Sequence, residues 1–351
     1  MHDATPSEST STLLIGAGPI GLELAVCLKH LGANYLHLDA GNVGQTVINY
    51  PKQTRYFSSP ERIAIAGVAL STVNGEKATR EHYLAYLQGV VKQFDLPIRR
   101  YTKVTGLKRH DDGTFEATTP HRTIHAKHVV LAIGDMHHPR WLQVPGEDLP
   151  HVSHHFDEPY PYVGQRLLIV GGRNSAVEAA LRCHHAGAKV TLSYRQDHFD
   201  ERAIKYWLLP EIQALIKHGQ IDFHPGTVPT RIEADGVTLR TCDGAKDKTK
   251  HRADFVLLLT GYEQDKTLFA SAGVTLEGQN QSPRVDPDTM MTNVPNLFVA
   301  GTAAAGTQVS FSLFIENCHE HARKIATAIT GSAPPDRLIN NAAATFGLAE
   351  S

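Results

Sequence analysis

Cysteine is scarce, with four residues in 351: Cys27, Cys183, Cys242 and Cys318, none in a C-x-x-C pair or at finger-like spacing. This argues against a disulfide scaffold, a zinc module and a dithiol redox centre, and makes a reducing cytoplasm the expected setting. Net charge is also small, 34 Lys+Arg against 36 Asp+Glu. No basic field exists to hold nucleic acid or an anionic membrane, so neither is an expected partner. Long hydrophobic runs are missing too. The most apolar stretch, Leu13 to Leu28, is broken by three glycines, Pro19 and Glu23, and falls short of the roughly 20 clean residues of a membrane helix. Met1 to Ser11 is polar, carries Asp3 and Glu8, and lacks the basic start and apolar middle of a secretion signal; a frayed leader is expected there. What is present, 41% apolar and 20% charged residues, suits a globular chain of about two domains of ~150 residues each.

The apolar run Leu13-Leu14-Ile15 meets Gly16-Ala17-Gly18-Pro19-Ile20-Gly21, and Leu22 to Leu31 then follow with helical spacing before Gly32. A second apolar strand, Tyr35 to Leu38, ends in Asp39. Strand, tight turn, helix, strand and terminal acid are the parts of a dinucleotide cradle. The first glycine makes the turn, the second lets backbone N–H groups approach a pyrophosphate, the third lets helix and strand pack closely, and the acid accepts hydrogen bonds from a ribose.

The pattern recurs from Arg166: strand Leu167 to Val170, turn Gly171-Gly172-Arg173-Asn174-Ser175-Ala176, a helix through His185, and strand Lys189 to Ser193. Here Tyr194-Arg195 stands where the first unit has Asp39. A guanidinium suits a 2′-phosphate, which a carboxylate would repel. Acid at one cradle and base at the other imply two different dinucleotides, FAD at the first and NADPH at the second. The plainer alternative for Arg195 is a solvated charge at a strand end.

Each unit is followed by hairpin-like strands and a buried strand ending in Gly: Thr114 to Thr118, Thr123 to His125 and Val129 to Gly134 after the first, Val237 to Arg240 and Phe255 to Gly261 after the second. Continuous apolar runs of this kind fit parallel strands covered on both faces. A third junction, Asn296 to Gly301, precedes a Gly/Ala-rich turn and an expected helix from Phe311 to Ile329. Both nucleotide units are complete by then, so this last piece is expected to return to the first. The fold class is therefore α/β, with two Rossmann-like three-layer domains, the NADPH domain (137–260) inserted in an FAD domain built from 1–136 and 261–351.

This arrangement, with Ala132-Ile133-Gly134 and a closing Asn293-Val294-Pro295-Asn296-Leu297-Phe298-Val299-Ala300-Gly301, resembles the thioredoxin-reductase-like members of the pyridine nucleotide-disulfide oxidoreductases. Tyr50-Pro51, Phe57-Ser58-Ser59, Val144 to Pro150, Gly171 to Ser175, Ile204 to Pro210 and Phe314-Ile315-Glu316-Asn317 are most similar to the bacillithiol-disulfide reductase family. The resemblance implies a flavin enzyme that takes electrons from NADPH to a small-molecule or small-protein acceptor, and a homodimer or larger homo-oligomer. It implies FAD binding by Gly16, Gly18, Pro19, Gly21 and Asp39, with Val104 offering backbone to the adenine and Gly134 and Gly301 flanking the group. It implies NADPH binding by Gly171, Gly172, Arg173, Asn174, Ser175 and Arg195.

Three departures bear on the reaction. Pro139 to Tyr162 has no cysteine, where thioredoxin reductases carry C-x-x-C, which excludes thioredoxin reduction by that route. Ile20 stands where bacillithiol-type enzymes carry a cysteine, and isoleucine forms no mixed disulfide. Thr302 follows Gly301, where related flavin enzymes place an Asp. Cys318 with His321 is the one thiol–imidazole candidate, a pair able to share a helical face, against the plain alternative of an inert buried thiol. Tyr50, Tyr56, Phe57, Tyr206 and Trp207 are candidates for lining a nicotinamide or flavin pocket, or ordinary core. The 21 histidines show no recognisable ligand spacing, and no metal is expected. Four readings stay open: an NADPH-dependent flavin oxidoreductase acting on a small disulfide or other diffusible acceptor, a ferredoxin/flavodoxin-NADP reductase, a flavin monooxygenase, and a non-catalytic FAD/NADPH sensor.

Overall fold

A computed structural model describes residues 6–243, 248–309 and 312–342. Met1 to Thr5 of the expected leader and Phe311 at the expected helix start lie outside these ranges. Two units form, one from the chain up to His138 together with the chain from Glu263 onward, the other from Pro139–Tyr262. The chain crosses between them at 138/139 and 262/263, against the expected 136/137 and 260/261.

In the first unit, β1 (Ser7–Ile15), α1 (Pro19–His30) and β2 (Tyr35–Leu38) realise the first fingerprint. Pro19 opens α1, where a missing N–H costs nothing and a fixed φ helps; Gly32, at φ +68°, carries the chain out. Then come α2 (Arg80–Gln93), β3 (Ile98–Arg99), β4 (Gly106–Arg109), β5 (Phe115–Thr118) and β6 (Thr123–Leu131). The sheet runs β3-β2-β1-β6-β5-β4, with β1 parallel to β2 and β6, and β5 antiparallel to β4 and β6. Leu13, Leu14, Val129, Val130 and Leu131 are fully buried, each contributing about 1.5–3 kcal/mol relative to exposure. The expected frayed leader is corrected at Ser7 to Ser11. These residues form the first half of β1, with Ser7 to Thr10 in register with Thr123 to Ala126, because the long β6 offers them a ladder of backbone partners.

The second unit repeats the plan: β7 (Val152–Ser153), β8 (Arg166–Val170), α3 (Asn174–His185), β9 (Lys189–Ser193), α4 (Leu209–Lys217), β10 (Asp222–His224) and β14 (Phe255–Leu258). Its parallel sheet has the order β10-β9-β8-β14-β7. Between β10 and β14 lies an antiparallel meander of β11 (Thr227–Glu233), β12 (Gly236–Thr241) and β13 (Lys248–Arg252).

The chain then returns to the first unit. β15 (Leu297–Val299) pairs in parallel with Val129 to Leu131 of β6, so the first unit is completed by residues far along the chain. α5 (His319–Thr330) follows. It buries His319, Ala322, Ile325 and Ala326, a stripe at helical spacing, in the core that also holds Leu22 and Leu24 of α1. The expected helix from Phe311 is corrected: 312–314 is not helical and Ile315–Asn317 is one 3₁₀ turn. Gln308 Oε1 accepts the N–H groups of Ser312 and Leu313, and Asn317 Oδ1 that of Phe314, so side-chain amides take donors that an earlier helix start would have used.

Candidate functional site

α1 begins without a side-chain cap or an acidic residue in its first turn, among the described residues. Its orphan N–H groups and positive dipole end are left for an anion. The glycines have distinct jobs. A Cβ on Gly16, at φ +111°, would collide with the Ala132 carbonyl, and one on Gly21 with the Gly16 carbonyl, whereas one on Gly18 meets nothing within 4 Å. Gly16 and Gly21 set close backbone packing, and Gly18 leaves clear ground before the helix start.

Asp39 follows β2. Its Oδ2 accepts the Ala17 N–H at 2.6 Å and its Oδ1 the Gly41 N–H at 2.7 Å. Burial pushes its pKa up, against the lowering by those two bonds. Asp39 therefore braces the fingerprint turn itself, and each oxygen keeps one further lone pair. His37, which sequence reasoning missed, also braces this turn: its Nε2 lies 2.9 Å from the Gly16 carbonyl, and burial pulls its pKa down to about 4. The signal was an imidazole inside an otherwise apolar strand. Val104 is buried in a core with Ile15, Leu38 and Leu131.

Gly134 and Gly301, at φ +78° and +69°, lie three and two residues past the ends of β6 and β15. Gln264 donates to the Gly134 and Ala303 carbonyls, at 3.1 and 2.9 Å. Asp135 accepts from Gln308 Nε2 at 2.8 Å and from Thr302; burial raises its pKa despite both bonds. Thr302 thus serves a carboxyl on the neighbouring strand end. Asp135, Gln264 and Gln308 were not singled out from sequence; an acid directly after a buried strand's glycine was the available sign. Ile20 is 5% exposed, with its Cβ 3.3 Å from the position a Gly301 Cβ would take. It is a packing residue joining the fingerprint to the closing junction.

In the second unit, α3 likewise starts with no side-chain cap and no acid in its first turn, among the described residues. Arg173 is its N-cap, and Asn174 and Ser175 are its first residues. Asn174 Oδ1 accepts the Lys205 N–H at 2.6 Å, and Lys205 Nζ reaches Glu178 Oε2 at 2.8 Å. The Asn174 oxygen therefore anchors the 199–208 segment to α3. A Cβ on Gly171 would strike the Leu259 carbonyl region, and one on Gly172 the Tyr194 ring. Arg195 is exposed just past β9. Beyond it, Asp197, Arg202, Lys217 and Phe223 line a shallow, open depression of the surface.

The thiol–imidazole expectation is corrected. Cys318 is fully buried, and burial pushes its thiol well above the ordinary range. His321 is pulled down to about 4 by burial, and its Nδ1 accepts the Gly301 N–H at 3.1 Å, so His321 offers the sulfur no imidazolium. Cys27 and Cys183 are also buried, and Cys183 is pushed up to about 12; Cys242 is exposed. The aromatic set divides as well. Tyr50 and Tyr56 join Tyr83 and Tyr86 in the first unit, while Tyr206 and Trp207 meet edge-on in the second. Among the described residues no helix is long and apolar enough to cross a membrane.

Comparison with known proteins agrees with these features. The pyridine nucleotide-disulphide oxidoreductase family model matches residues 13–301. Bacilliredoxin reductase Bdr of Bacillus subtilis is 36% identical, across 90% of this chain and 96% of its own. The structure of bacillithiol disulfide reductase Bdr from Bacillus cereus superimposes with a TM-score of 0.87 at 34% identity, over 92% of this chain and 99% of its own. A ferredoxin–NADP reductase of Ignicoccus hospitalis is 28% identical, over 82% of this chain and 88% of its own. With both fingerprints, the closing junction and the match along most of its length, the chain belongs to the pyridine nucleotide-disulphide oxidoreductase family and is similar to its bacillithiol disulfide reductases.

Proposed function

We propose that this chain carries hydride from NADPH to FAD and then reduces a small disulfide or another diffusible acceptor. Enzymes of its family are flavin-dependent oxidoreductases that use FAD and NADPH. The observation that carries the reading is the pair of uncapped helix starts, one followed by a buried acid and the other by an exposed guanidinium. The first unit would hold FAD: α1 and Gly18 face its pyrophosphate, Asp39 its ribose, and Gly134 and Gly301 flank it. The second would hold NADPH: α3 faces the pyrophosphate, and Arg195 the 2′-phosphate. Bound FAD supplies the redox chemistry, and the residues supply binding and orientation. With Cys27 and Cys318 both buried and Ile20 packed, no thiol relay serves the first unit, so the acceptor takes electrons from the flavin itself.

The same feature favours a second reading, a ferredoxin-NADP reductase, the activity for which the 28% identical relative is named. Anaerobic mixing of the purified protein with NADPH or NADH, followed at the flavin absorbance, tests the common half-reaction. Faster bleaching by NADPH is expected. Arg195→Ala should lower the NADPH preference about 10- to 100-fold, the worth of hydrogen bonds to a charged group; an unchanged preference removes Arg195 from the site. Subsequent addition of bacillithiol disulfide or of oxidised ferredoxin separates the two acceptors. Protein that cannot be loaded with FAD would overturn both readings.

A further inference from the structure

The meander β4–β5–β6 carries a side-chain cluster that neither cradle uses. His110 directly follows β4, and Glu116 of β5 lies opposite His125 of β6 in register. One ligand atom from each of the three, an imidazole nitrogen from His110 and His125 and a carboxylate oxygen from Glu116, fall within 4.8 Å of one another. His110 Nε2 is 3.3 Å from Glu116 Oε2. That nitrogen is inaccessible to solvent and makes no hydrogen bond among the described residues. The pair stands at ion-pair distance but outside hydrogen-bond geometry, a spacing that two ligands of one ion also take. Donors at about 2.0–2.1 Å on a tetrahedral ion stand about 3.4 Å apart.

We infer that His110, Glu116 and His125 form a binding site for one divalent ion of the zinc class. Two imidazoles and one carboxylate are borderline donors that suit zinc, cobalt or nickel, not magnesium or calcium, which take oxygen ligands. Side-chain exposures of 34% for His110 and 35% for Glu116 place the cluster close to the surface, although the His110 Nε2 itself is covered; a small shift of that ring would admit an ion. The ion would tie the β4–β5 turn to β6. It takes no part in electron transfer, so the site stands or falls separately from the flavin reading. In the sequence, the three residues lie 6 and 9 positions apart, a spacing that matches no local metal motif; strand register alone gathers them.

The test uses tag-free, FAD-loaded full-length protein, stripped with a chelator and titrated with zinc chloride by calorimetry, with magnesium chloride in a parallel titration. One equivalent of zinc should bind, with a rise in melting temperature, and magnesium should not. Glu116→Gln, close in shape to the native residue, and His125→Ala should each abolish that equivalent, while His121→Ala, an exposed imidazole at the β5–β6 turn, should keep it. NADPH-driven flavin reduction should be unchanged in Glu116→Gln, which also shows that the variant is folded. The inference is overturned if the wild type binds no stoichiometric zinc, if magnesium binds equally well, or if Glu116→Gln titrates like the wild type.

Discussion

His37 and His321 each hold one backbone group of a glycine junction, the Gly16 carbonyl and the Gly301 N–H respectively. Both are buried and pulled down to about 4, below the ~6.5 of an unfolded chain. A folded value below the unfolded one means that stability is fully present above about pH 6.5 and lost as pH falls toward 4. Each histidine should withdraw on the order of 2 kcal/mol between pH 7 and pH 5. Urea unfolding at those two pH values measures it. His37→Gln, which does not titrate, should shallow the decline; an equal decline in the variant would exclude His37 as its source. At Cys318 the expectation is the reverse of a catalytic thiol. Cys318→Ser should keep turnover within about twofold and lose only stability, on the order of 1 kcal/mol, since a hydroxyl replaces a buried sulfur. A tenfold drop in turnover with flavin content intact would restore the thiol to the reaction.

Among the elements, α1 and α5 are joined by more than apolar packing. Glu23 of α1, wholly buried, accepts from His319 Nδ1 of α5 at 2.8 Å and from the backbone N–H groups of Ala66 and Asn340. His319 Nε2 lies 2.9 Å from the Arg62 carbonyl. A ring that donates from both nitrogens is an imidazolium. Burial opposes that charge, but the Glu23 carboxylate and the two hydrogen bonds outweigh it and raise the His319 pKa. The sign is therefore opposite to that of His37: this contribution is complete below about pH 6.5 and lost as pH rises through the raised value. His319→Gln should cost about 3–5 kcal/mol at pH 6, the usual effect of breaking a buried pair, and its stability should no longer fall on the alkaline side. Thermal unfolding from pH 6 to pH 9 decides; a persistent alkaline decline in the variant would place its origin elsewhere. The strands and helices of both fingerprints were legible from apolar runs and glycine spacing. The helix start at His319 was not, because the glutamine and asparagine side chains that delay it act through contacts that periodicity does not register.

At the scale of the molecule, each unit encloses cores of its own. Both tryptophans, Trp141 and Trp207, lie in Pro139–Tyr262. Tryptophan fluorescence therefore follows one unit, while circular dichroism follows both. Two units joined by two chain crossings need not melt together, so the fluorescence and dichroism transitions in urea should separate; superimposable curves would show one cooperative block. Composition and the two glycine fingerprints were enough to specify the class of fold and the duplication, because those features are local and repeat at short range, and longer strings such as Ile204 to Pro210 carried the resemblance to a family. Tertiary structure alone decided that Asp39 and His37 brace the fingerprint turn, that Cys318 lies out of reach, and that His110, Glu116 and His125 converge. Each of these depends on which residues meet across strands and helices distant in the chain, and on how completely water is excluded where they meet.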